Sequence, residues 1–100
     1  MAAPDRSTLV RCVVIEGVVQ GVGYREFTRR AALRLNVSGW VRNRYNGSVE
    51  ALVRGSPAGV EALIAEMRRG PRFAAVERLT AIEPKPPSDD GGTFVVRSTA

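Results

Sequence analysis

A β-branched apolar run, Leu9–Glu16, breaks at Gly17, meets two further glycines at 21 and 23, and passes into an arginine at the head of a helical pattern, Arg25. A strand, a glycine turn and a helix must therefore follow one another with almost no spare chain. That order dictates where polar groups point. The first amides of a helix have no partner inside it, and the helix dipole is positive at that end. A guanidinium beside the same end adds a second positive feature, and the two call for an anion between them. The segment Val14–Arg25 is thus read as a pocket for a phosphate-sized group. Arginine suits it because its planar fork grips two phosphate oxygens at once. A plain turn needs one glycine, whereas Gly21 and Gly23 on either side of Val22 suit a loop whose backbone approaches a ligand closely. Gln20 can donate to that ligand or hold the loop in place, and holding the loop is the favoured role. The glycine spacing is not G-x-G-x-x-G, and no Gly-Lys-Ser/Thr occurs, so neither a dinucleotide fingerprint nor a Walker loop is present.

The rest of the chain alternates in period. Tyr24–Leu35 places Tyr24, Phe27, Ala31 and Leu35 on one helical face, and Asn36 can close that helix in the left-handed conformation. Gly39–Arg44 and Ser48–Arg54 read as strands around Tyr45-Asn46-Gly47, a hairpin signal with two open registers. Asn46-Gly47 is either a two-residue turn, or Gly47 ends a longer loop with a bulge. A second helix starts at the cap Ser56 with Pro57 in its first position. It carries the stripe Val60, Leu63, Ile64, Met67 and stops at Gly70-Pro71. Phe73–Glu83 is expected as a strand, Pro84–Gly92 as a loop and Phe94–Arg97 as a short last strand. The order β-α-β-β-α-β predicts an α+β, ferredoxin-like domain, an antiparallel sheet with two helices on one face. Residues 1–8 are expected to be a tail and 9–98 a single domain.

Composition narrows the chemistry. One hundred residues, 44% apolar, fill one modest core. No run of 18 apolar residues occurs and the first residues have no apolar leader pattern, so neither a membrane span nor a signal peptide is expected. The single cysteine, Cys12, cannot form an internal disulfide, which fits a reducing cytoplasm. With no histidine and one cysteine, a transition-metal site and a Ser-His or Cys-His nucleophile are excluded within this sequence. The net charge of +5 rests on fourteen arginines and Lys85. Such a balance serves either as a solvated surface or as an attraction for anions, small phosphates or nucleic acid. Its even spread weakens the nucleic-acid version.

Among single residues, Asn43 stands near the end of a strand before the turn, where an amide can both donate to a water and accept from it. Turn stabilisation is the commoner use of asparagine there, and the residues alone do not separate Asn43 from Asn46. Trp40 belongs to the core or its edge. Cys12 falls on the strand face opposite Val13 and Ile15 as a packed thiol, and Glu16 on the outer face.

Two segments together resemble a known family. Gly17-Val-Val-Gln-Gly-Val-Gly-Tyr-Arg25 is similar to the first acylphosphatase motif, G-x-V-Q-G-V-x-F/Y-R. Gly39-Trp-Val-Arg-Asn43, followed by Gly47-Ser-Val-Glu50, is similar to the second, G-W-V-x-N with a downstream G-x-V. The resemblance spans about residues 9–98 and implies the same ferredoxin-like fold. It implies hydrolysis of the carboxyl–phosphate bond of small acyl phosphates to carboxylate and inorganic phosphate, with no metal and no cofactor. On it, Arg25 is the phosphate-binding catalytic arginine, Asn43 orients the attacking water, and Gln20, Gly21, Val22, Gly23 and Tyr24 form the phosphate cradle. A cytoplasmic monomer with no nucleic-acid or membrane partner is the matching expectation. Tyr24 replaces the commoner Phe, and Val18 stands where a basic residue is frequent. The rival reading is a phosphate-ligand or RNA-binding module of the same topology, but its first strand would lack the aromatics that stack bases.

Overall fold

In a computed structural model of the chain, which describes residues 8–84 and 92–100, seven elements follow one another. They are β1 (Leu9–Val18), α1 (Tyr24–Arg34), β2 (Ser38–Asn43), β3 (Val49–Gly55), α2 (Pro57–Arg69), β4 (Ala75–Ile82) and β5 (Phe94–Val96). The strands form one sheet in the order β4-β1-β3-β2-β5. The first four pair antiparallel, as a ferredoxin-like sheet requires, whereas β5 joins the outer edge of β2 in parallel. The sheet is therefore mixed, not purely antiparallel. The β-α-β-β-α-β unit accounts for four strands only, and a fifth must take a free edge. The expected tail and the Pro84–Gly92 loop lie almost wholly outside the described residues.

Strand alternation decides which face is dry. Val13 and Ile15 on β1, Val41 on β2, and Val49, Ala51 and Val53 on β3 are all fully buried on one side. Ala31, Ala32, Val60, Leu63 and Met67 of the helices complete that core. α1 lies over β2 and β5, and α2 over β1, β3 and β4.

The helix ends follow from local chemistry. Ser56 Oγ accepts from the Gly59 N–H at 3.0 Å, and Pro57 fills the first position. At the end of α1, Asn36 takes φ 62. The Val37 N–H then reaches the Ala32 carbonyl at 2.8 Å and the Asn36 N–H the Leu33 carbonyl at 3.2 Å. This paired closure satisfies two carbonyls that the helix leaves free.

One boundary differs from the sequence expectation, and the open hairpin register takes one of its two expected forms. Gly17 does not end β1. It sits inside the strand at φ +128, where the pairing with β4 slips by one residue between Glu16 and Gly17. A bulge, not a stop, is what this glycine serves. In the hairpin, Asn43 pairs with Val49 and the Arg44 N–H bonds the Ser48 carbonyl at 2.9 Å. The Gly47 N–H bonds the Arg44 carbonyl at 3.1 Å, with Gly47 at φ +94. The longer loop ending in a left-handed glycine is the register adopted.

Cys12 stands on the opposite sheet face, half-buried. Burial first, then the nearby Glu50 carboxylate, pushes its thiol above the usual range. A raised value means less thiolate at any given pH, and the thiolate is the nucleophile. At pH 8, alkylation by iodoacetamide followed by mass spectrometry is expected to run about fivefold or more slower in the native protein than in urea. Equal rates would show the thiol to be open.

Candidate active site

The site begins where β1 ends. Val19 is buried and anchors the chain, after which residues 20–23 turn over into α1. Gly21 and Gly23 hold φ +75 and +78, a left-handed backbone that side chains rarely adopt. A Cβ at either would meet nothing within 4 Å, so the requirement is conformational and the space above the loop is open. Gly23 is the N-cap of α1 and offers no side-chain oxygen to the first-turn amides. Those N–H groups therefore stay available to an anion at the positive end of the helix.

A cleft of about 340 Å³ opens over this turn, and Arg25 and Asn43 line it together with Gly21, Gly23 and Tyr24. The two side chains singled out as catalytic candidates thus come from α1 and the end of β2 into one space. Their surroundings set them apart from their neighbours. Arg29 and Arg30 are tied to Glu26, Arg34 to Glu66 and Arg42 to Glu50. Arg25 has no acidic partner among the described residues. The Asn43 Oδ1 is buried and accepts no hydrogen bond from any described residue. A buried acceptor left open by the protein is uncommon, and it belongs here to a residue of the cleft wall. Asn46, in contrast, spends its Oδ1 on the Ser48 N–H at 3.0 Å and the Ser48 hydroxyl at 2.6 Å. Asn46 is the asparagine that holds the turn, and Asn43 is the one that lines the cleft.

The remaining loop residues divide by side chain and backbone. Tyr24 is buried in the core and donates its hydroxyl to the Met67 carbonyl at 2.7 Å. Burial holds its phenol well above the usual range. Val22 packs against the core. The Gln20 Nε2 turns away from the turn's mouth to the carbonyls of Arg44 and Ser48. Two residues of the cleft wall carried no signal in the sequence. Val96 comes from β5, whose edge position the motif order does not specify. Glu26 also lines the cleft, and hydrogen bonds from Arg29 and then Arg30 pull its carboxyl down to about 2. The pair of arginines more than offsets that carboxylate, which leaves the mouth attractive to anions. Among the described residues no three His, Cys, Asp or Glu side chains gather as a metal site, and no helix is long and apolar enough to cross a membrane.

The comparison with known families matches residues 11–96 to the acylphosphatases. This chain belongs to the acylphosphatase family. An acylphosphatase of Rhodopseudomonas palustris is 50% identical over 84 residues, which cover 84% of this chain and 82% of that protein. One of Moorella thermoacetica is 44% identical over 93 residues, 92% of this chain and 98% of that one. Among solved structures, an acylphosphatase from Coxiella burnetii superposes with a TM-score of 0.87 at 32% identity, covering 97% of this chain and all of that one. The acylphosphatase fold also accounts for the mixed sheet, since the likeness spans β5 along with the ferredoxin-like core.

Proposed function

We propose that the cleft between the glycine turn and Asn43 is where this acylphosphatase-family hydrolase cleaves the carboxyl–phosphate bond of small acyl phosphates. The observation that carries the assignment is the meeting around one cleft of a guanidinium with no acidic partner among the described residues, an uncapped helix N-terminus and Asn43, whose buried Oδ1 no described residue satisfies. Arg25 and the amides of residues 21–25 hold the phosphoryl oxygens. Asn43 accepts from a water and sets its lone pair toward phosphorus. The new bond joins water oxygen to phosphorus, and the carboxylate leaves with the electrons of the broken P–O bond. The water's proton passes to a phosphoryl or carboxylate oxygen. A carboxylate is a good leaving group, so positioning and charge stabilisation suffice and no protein base is needed. One aligned donor in such a site is worth on the order of 10²–10³ in rate.

The enzyme acts on this reading as a cytoplasmic monomer with no nucleic-acid partner. What supports the last point is the open sheet face, which presents Trp40 as its one aromatic among the described residues. Its ring is covered by Arg42 and Arg97, with guanidinium carbons 4.8 and 5.2 Å from the ring centre.

Purified protein is expected to consume benzoyl phosphate rapidly in the presence of chelator, followed by loss of ultraviolet absorbance, and an Arg25→Ala variant to fail. A folded, inactive wild-type protein would reduce the cleft to a binding site. Asn43→Ala is expected to fold, to keep its Ki for inorganic phosphate within about threefold, and to lose kcat by about 10²-fold. A loss of phosphate affinity as large as the loss of rate would assign Asn43 to binding instead of to the water.

A further inference from the structure

Gln20 stands directly before Gly21, yet its side chain serves another element. Its Nε2 donates to the carbonyl oxygens of Arg44 and of Ser48, both at 2.8 Å and respectively 24 and 28 residues away. A primary amide has two N–H groups, and both are used here. The two carbonyls form the neck of the β2–β3 turn, where the Arg44 N–H also bonds the Ser48 carbonyl. Arg44 follows Asn43 directly, and Asn43 pairs with Val49 just beyond Ser48. One amide therefore fastens the residue next to the phosphate turn to both residues that flank the Asn43–Val49 pair.

The strands alone do not make this connection. Pairing between β1 and β3 ends at Ile15–Val49, so the chain from Glu16 to Gly23 runs on with no further ladder to β3. Among the described residues no other side-chain hydrogen bond joins residues 20–23 to residues 44–48. The proposed reaction needs phosphorus held by the glycine turn and α1 while the water is held by Asn43. The two halves sit on separate elements, and their spacing sets the line of attack.

We propose that Gln20 is a positioning residue that fixes the phosphoryl cradle relative to the water-orienting Asn43, and this rests on the roles of Arg25 and Asn43 given above. Gln20 touches neither phosphorus nor water. It holds the hairpin neck so that a water on Asn43 lies in line with a phosphoryl group in the cradle. A displacement of about 1 Å in such a geometry lowers a rate by up to about 10²-fold.

The test is a double-mutant cycle with benzoyl phosphate as substrate and inorganic phosphate as inhibitor. Wild type, Gln20→Leu, Asn43→Ala and the double variant are compared for kcat, KM and the Ki of phosphate. Gln20→Leu keeps the bulk and removes both donors. It is expected to lower kcat about tenfold or more while the phosphate Ki moves less than about twofold. In the Asn43→Ala background the same change is expected to lower kcat less than about twofold, because no ordered water is left to misplace. Equal losses in the two backgrounds would overturn the proposal, as would an unchanged kcat in Gln20→Leu or a phosphate Ki that rises in step with the loss of rate. An Asn43→Ala variant of normal kcat would instead remove the water-orienting role itself, and the proposal with it. That outcome is distinct from the clamp failing, in which Asn43→Ala is slow and the two losses multiply. Should Gln20→Leu not fold, as read from its far-ultraviolet circular dichroism, Gln20→Met takes its place in the same cycle, with the chain length and flexibility of glutamine and no donor.

Discussion

Arg25→Lys is expected to lower kcat/KM for benzoyl phosphate by about 10²–10³-fold although the positive charge is kept. Arg25 sits in the second position of α1, beside the uncapped amides that Gly23 leaves free, and it has no acidic partner among the described residues. Its guanidinium can therefore turn its full fork to a phosphoryl group. Two parallel N–H donors meet two oxygens at once and fix the rotation of the group, so the remaining oxygen is forced toward the loop amides. Lysine offers a mobile point charge that attracts the same anion without fixing its rotation. The predicted signature is a modest change in phosphate Ki and a large fall in kcat, read by steady-state kinetics on a variant of native circular dichroism. Turnover close to wild type would show that charge alone carries the site.

Where a side chain or backbone carries its own local instruction, the sequence already names the structure. Ser56-Pro57 opens α2 and Gly70 closes it because cap, proline and left-handed glycine each act within a few bonds of their own residue. Asn36 closes α1 for the same reason. The strand phases of β1, β2 and β3 are legible because one buried face imposes strict alternation. The parts that stayed open depend on partners distant in sequence. Gly17 reads as a stop until β4 lies beside it and the slip in register becomes visible. The hairpin register rests on whether Arg44 or a neighbour bonds Ser48, which local composition does not set. β5 finds the edge of β2 through pairing of Gly39, Trp40 and Val41 with Phe94, Val95 and Val96, and no spacing rule in the sequence specifies that edge.

The same division runs through the site. Arg25 and the two turn glycines are legible because a strand, a turn and a helix start lie in direct succession. Asn43 and Asn46 carry equal local signals, and only the hydrogen bonds of Ser48 to Asn46 set them apart. The bonds of Gln20 join residues 24 and 28 apart, so its amide reads equally as a ligand donor or a loop brace until the hairpin is placed. Val96 enters the cleft only because β5 lies on the far side of β2.

Gly39→Ala is expected to be strongly destabilising. Gly39 occupies β2 at φ +133, with its N–H bonded to the Thr93 carbonyl at 3.0 Å. It pairs with Val53 on one side and Phe94 on the other. A Cβ built there would overlap the carbonyl oxygen of Leu52 and lie 2.8 Å from its carbon. Both are backbone atoms of the central sheet, so no side chain can swing aside. Relief requires β2 to move off β3, with loss of ladder hydrogen bonds and of packing at fully buried Val41 and Val53. Losses of that kind reach about 3–5 kcal/mol, a large part of the 5–15 kcal/mol typical of a small domain. The expected fall in Tm, followed by circular dichroism, is about 12–25 °C. Gly47→Ala provides the contrast. It also has a left-handed φ, but nothing lies within 4 Å of its Cβ, so only local strain of about 1–2 kcal/mol opposes it. A Gly39→Ala protein as stable as Gly47→Ala would mean that β2 and β3 can part at little cost. Gly39→Ala would disturb the cleft as well, because Gly39 pairs β2 with β5, and β5 supplies Val96 to the wall that Arg25 and Asn43 also line.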